Sequence, residues 1–71
     1  MILITDSGVP IDIQTTQAGG RILRTLRDGK LYRKYTHPSR VNGEKRLQRD
    51  VLDIELAVSG QRRKAVKVRR V

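Results

Sequence analysis

Apolar residues recur at every second position along much of this chain. Val9, Ile11 and Ile13 alternate with Pro10, Asp12 and Gln14, the period of a half-buried strand, and Thr15 and Thr16 extend it. Pro10 has no N–H for a ladder, so this strand starts there or lies at an edge. Ahead of it, Ile2, Leu3 and Ile4 end in the turn cluster Thr5-Asp6-Ser7-Gly8, and behind it Gln17-Ala18-Gly19-Gly20 reads as a loop. The run from Arg21 to Thr36 has Asp28-Gly29 at its centre. Asp-Gly supplies the two positive φ angles of a type I′ turn, so the run predicts a hairpin. A two-residue loop puts Arg27 opposite Lys30, Leu26 opposite Leu31, Arg24 opposite Arg33 and Ile22 opposite Tyr35. Ile22, Leu26, Leu31 and Tyr35 then share one face, which reads as the core face. Leu23, Thr25, Arg27, Lys30, Tyr32 and Lys34 share the other.

After the break at His37-Pro38-Ser39, Val41-Asn42-Gly43-Glu44 carries the same turn chemistry and predicts a second hairpin. Leu52, Ile54, Leu56 and Val58 alternate with Asp53, Glu55 and Ala57, which predicts a strand over residues 51–58. A helix is the rival reading, because Leu47, Val51, Ile54 and Val58 also stand at helical spacing. Ser59-Gly60 opens a further loop, and Ala65 to Val71 alternates again. If Val58 faces Lys64 across the loop 59–63, Ile54 meets Val68, Leu56 meets Val66, Asp53 meets Arg69 and Glu55 meets Lys67. A one-residue slip would turn the apolar set against polar partners. Five turn signals separating about six short strands predict a single mainly β domain over residues 1–71, a small antiparallel barrel or sandwich. The alternative is an α+β, winged-helix-like chain with a helix in residues 44–57.

Composition makes the core thin. Twenty of the 26 apolar residues are Val, Ile or Leu, and there is no Phe, Trp or Cys. A chain this short is near the limit of what its own burial can hold, and without disulfides or a metal staple the remaining support is a partner chain. The net charge is +9, distributed in blocks: −2 over residues 1–20, +8 over 21–49, −3 over 50–58 and +6 over 61–71. Eleven of the sixteen bases are arginine, the side chain suited to bidentate phosphate contact. So basic a small domain is expected to meet nucleic acid or an acidic surface. No apolar run reaches the length of a membrane span, and no signal peptide is visible, so an intracellular or cytoplasmic location, or one within a virion, is the expectation.

No catalytic motif is present. His37 is the sole histidine and precedes a proline, and there is no G-x-S-x-G, H-E-x-x-H or phosphate-cradling glycine loop. Asp53 and Glu55 read as partners of the basic C-terminal strand rather than metal ligands. No enzyme activity, cofactor or metal is expected. Only Tyr32 and Tyr35 are aromatic, too few for the stacking platforms of single-strand binders. Tyr32 falls among Arg27, Lys30 and Lys34, where it would stack on a base or ribose or pack on an arginine stem. The expected interface is therefore phosphate-led, on duplex or structured nucleic acid. One patch is Arg24, Arg27, Lys30, Tyr32, Arg33 and Lys34, and a second is Arg62, Arg63 and Lys64 at the tip of the C-terminal loop. Lys67 and Arg69 are expected to be neutralised by the acidic strand.

The run Gly20 to Tyr35, GRILRTLRDGKLYRKY, resembles the hairpin of the small β-sheet DNA-binding domains of phage-type integrases and the turn of excisionase-like winged helices. The likeness covers less than a quarter of the chain and implies DNA contact through the hairpin. Two other expectations stand beside nucleic-acid binding. One is a structural subunit of a larger assembly (a phage-type virion, adaptor or ribonucleoprotein component, or a homo-oligomer) using edge strands and basic patches. The other is a winged-helix or excisionase-like regulator.

Overall fold

The computed structural model describes residues 1–41 and 43–71, the Glu44 side chain apart. Strands β1 (Ile2–Thr5), β2 (Pro10–Thr15), β3 (Arg21–Arg27) and β4 (Lys30–Thr36) run as an antiparallel meander. A 3-10 turn at Pro38–Arg40, helix α1 (Gly43–Ser59) and a last strand β5 (Val68–Arg70) follow. β5 pairs antiparallel with β1, which gives one open sheet in the order β4-β3-β2-β1-β5. The fold is mainly β with one helix. The meander is left at one edge and re-entered at the other, and α1 packs on β3 and β4 along the way.

The strand start at Pro10 and the hairpin register expected for the first half hold. β2 begins at Pro10. In the β3–β4 hairpin Arg27 faces Lys30, Leu26 faces Leu31, Arg24 faces Arg33 and Ile22 faces Tyr35. Asp28 and Gly29 have φ of 54° and 74°, the signs a type I′ turn demands.

The buried side of that hairpin is the opposite of the one expected. Leu23 is fully buried and Thr25 nearly so, whereas Leu26, Leu31 and Tyr35 are more than half exposed. The cause lies in the neighbouring strand. Ile13 faces Leu23 in the β2–β3 register, so the apolar set Val9, Ile11 and Ile13 shares its face with Leu23, and α1 covers that face. Four apolar residues on one side of a hairpin cannot outvote the strand that joins it to the rest of the core.

Residues 51–58 are helical, and the helix required by the α+β alternative is present as α1. The C-terminal hairpin register therefore falls: β5 pairs with β1, with Ile4 opposite Arg69 and Thr5 opposite Val68. Along α1 Val51 and Ile54 are buried, Leu47, Leu52 and Val58 pack against the core, and Leu56 turns outward. The 3.6-residue stripe wins over the two-residue alternation because it sets Leu47, Val51, Ile54 and Val58 on the core together, and Asp50 and Glu55, buried beside it, find partners from other segments. The proposed turn at Asn42 lies outside the described residues, and from Gly43 onward the chain is helical. Ser59-Gly60 is a helix terminus rather than a strand turn. Gly60, at φ 73°, donates its N–H to the Leu56 carbonyl at 2.8 Å, a left-handed cap that glycine makes without steric cost.

The core is one aliphatic cluster of Val9, Ile11, Leu23, Val51, Ile54 and Val66. Val66 belongs to the segment between α1 and β5, which Gln48 holds by donating from Nε2 to the Val66 carbonyl at 2.9 Å. The second face of the sheet has no covering layer among the described residues.

Candidate nucleic-acid interface

The fold decides which cations are available. Four of the sixteen Lys and Arg side chains stand in ion pairs among the described residues: Arg21, Arg24, Lys34 and Arg63. Arg21 is buried and donates from Nε and Nη2 to Asp50 at 3.2 and 3.0 Å. Thr36 Oγ1 donates to the same oxygen, Oδ2, at 2.5 Å, and Lys34 Nζ stands 3.9 Å from Oδ1.

The hairpin residues of the first expected patch are dispersed. Arg24 lies on the open face and donates to Asp12 at 3.1 Å. Arg33 is its cross-strand neighbour, exposed and without an ion pair among the described residues. Arg27 and Lys30 form the exposed tip. Lys34 is on the helix side, 2.6 Å from Asp53 and 3.9 Å from Asp50. Tyr32 is half-buried and lines the groove between β4 and α1 with Lys34, Ile54 and Ala57. Tyr35 is on the open face, its ring lying over Gly20, where an added Cβ would come within 3.0 Å of it.

The second expected patch also divides. Arg63 donates to both oxygens of Asp6, at 2.6 and 3.0 Å, and reaches Glu55 Oε1 at 3.5 Å. The hydrogen bond from Arg63 holds the Asp6 carboxyl below its ordinary value, outweighing an opposing loss of solvation, and the Lys67 backbone N–H adds a lesser lowering. The same bond holds Arg63 protonated more firmly still. Arg62 and Lys64 are exposed and carry no ion pair among the described residues. Lys67 and Arg69 are likewise unneutralised, because their expected acidic partners are on α1 rather than on an adjacent strand. Glu55 is buried, accepts from the Ser7 hydroxyl, and leaves Oε2 without a partner among the described residues.

One group of available cations, on α1 and the turn before it, is one that strand reasoning missed. The stripe Leu47, Val51, Ile54, Val58 turns one side of α1 to the sheet, which leaves Lys45, Arg46 and Arg49 exposed. The 3-10 turn brings Arg40 beside them. It is held by His37, whose Nδ1 accepts from the Ser39 N–H at 3.2 Å. Arg40, Arg46 and Arg49 converge with Lys34, Tyr35, Thr36 and His37 on a cleft of about 170 Å³ whose only described carboxylate is the buried Asp50, so that Lys34 is the one residue of the first expected patch that lines it. Lys45 borders it through a neighbouring depression shared with Arg46 and Arg49. The clue lies in the spacing of Arg46 and Arg49, three apart and therefore on one helical face, which appears only once residues 43–59 are read as helix.

No cluster of three or more potential metal ligands occurs among the described residues, and no described helix is long and apolar enough to cross a membrane. Comparisons with family models, curated proteins and solved structures find no match.

Proposed function

We propose that this protein binds duplex or structured nucleic acid through its phosphates. The observation that carries the reading is the cleft rimmed by Arg40, Lys45, Arg46 and Arg49. These are four cations on neighbouring elements, three of them arginine, without an ion pair among the described residues. Guanidinium groups so placed suit two-pronged contact with phosphate oxygens. The hairpin tip, with Arg27 and Lys30, and the segment with Arg62 and Lys64 add cations elsewhere on the surface. With only two tyrosines, on opposite faces of β4, the chain has no row of aromatic platforms for successive bases, which supports backbone contact over base stacking.

Fluorescence anisotropy with labelled DNA and RNA duplexes of unrelated sequence tests this. Binding should be similar across sequences and fall with salt at a slope of roughly −0.9 per neutralised phosphate on B-DNA. Salt-independent binding, or none at low ionic strength, would remove the proposal.

A further inference from the structure

We infer that the uncovered face of the sheet is a docking surface for an acidic amphipathic helix of another protein. The strand registers lay an apolar row straight across it. Leu31 faces Leu26, Ile4 faces Pro10 and then Arg69 on its other side, and the β2–β3 register continued by two residues sets Pro10 beside Leu26. The row thus reads Leu31, Leu26, Pro10, Ile4, and ends at Arg69. Leu26 and Leu31 are 62% and 57% exposed, and Ile2, in the next row, is 50% exposed. With Pro10 they line a groove of about 230 Å³. A contiguous exposed apolar row rimmed by charged residues is the pattern of a contact site.

Spacing and charge select the occupant. Neighbouring strands are about 4.8 Å apart, close to the ~5.4 Å rise of a helical turn. A helix laid along the row can therefore set one apolar side chain against each strand. The adjoining row carries Arg33 and Arg24, and Asp12 engages only the second. Arg33 on one flank and Arg69 at the end of the row are left for carboxylates of the partner. A second copy of this chain would bring the same cations and set like charges together. The surface is separate from the Arg40–Arg49 cleft, so this inference does not depend on the nucleic-acid reading.

The probe is a synthetic helical peptide with a leucine stripe and a glutamate flank, titrated into isotope-labelled protein and followed by amide shifts. A twin peptide has lysine for glutamate. Shifts should map to Ile4, Leu26, Leu31 and Arg33, and the twin should bind at least about tenfold more weakly. Leu26→Glu should abolish binding. Leu31→Ser should weaken it with an unchanged circular dichroism spectrum and should bind DNA as the parent does. Equal binding of the two peptides, or shifts confined to α1, would overturn the inference. So would self-association in sedimentation that Leu26→Glu removes, which would make the occupant a second copy. Uptake on phosphatidylserine vesicles that Leu26→Glu abolishes, without peptide binding, would overturn it in favour of a lipid surface.

Discussion

Asp50 joins three parts of the chain through one carboxylate. It takes two donors from Arg21 on β3 and one from Thr36 at the end of β4, and it stands on α1. Arg21 is buried with it, so deleting the acid leaves an uncompensated cation inside. Asp50→Ala should cost about 3–5 kcal/mol, measured by urea unfolding. Thr36→Val, which leaves the ion pair intact, should cost only about 0.5–3 kcal/mol. A loss of under about 1 kcal/mol for Asp50→Ala would mean that the pair does not hold the helix to the sheet. Leu23, fully buried between β2 and α1, should cost roughly 2–5 kcal/mol as Leu23→Ala, against total stabilities of about 5–15 kcal/mol. Leu26→Ala, equally apolar but on the open face, should change the same midpoint little. That contrast tests the assignment of faces.

At the scale of elements, what could be read in advance depended on whether the deciding interaction was local. The Asp28-Gly29 turn fixes its own register through two positive φ angles, so that hairpin was legible. Which of its faces is buried depends on β2, a separate strand beyond the Gly19-Gly20 loop, and was not. In α1 the buried acids Asp50 and Glu55 interrupt the apolar stripe, because their partners Arg21, Ser7 and Arg63 come from other segments. An amphipathic helix with charges on its inner face resembles a strand until those partners are known. The clamp between the β1–β2 turn and the segment after α1, Asp6 to Arg63, has a pH signature. The Asp6 carboxyl titrates below its ordinary 3.8 in the folded chain, so its contribution is complete above that value and is lost as pH falls through the lower folded one. The gap in melting temperature between the parent and Asp6→Asn should be constant from about pH 7 to pH 5 and close in stronger acid. A gap that widens on acidification would refute the clamp.

For the whole molecule, the blockwise charge pattern made a basic surface foreseeable, but not which bases would compose it. Folding engages Arg21, Arg24, Lys34 and Arg63 internally and leaves Arg40, Lys45, Arg46 and Arg49 outward. Three of the residues expected at the interface are thus in ion pairs, and the four that rim the cleft went unseen because their grouping exists only on a helix and the turn before it. Binding should follow this division. The most direct measurement is the salt dependence of duplex DNA affinity for the parent, for Arg46→Ala/Arg49→Ala and for Arg63→Ala. Removing the two cleft arginines should weaken binding to all sequences alike and reduce the salt slope by about 2, one for each phosphate no longer neutralised. Arg63→Ala, whose guanidinium is held by Asp6 in the parent, should leave the slope unchanged. Equal slopes for the parent and the cleft variant, or a greater weakening from Arg63→Ala, would contradict the phosphate-led cleft.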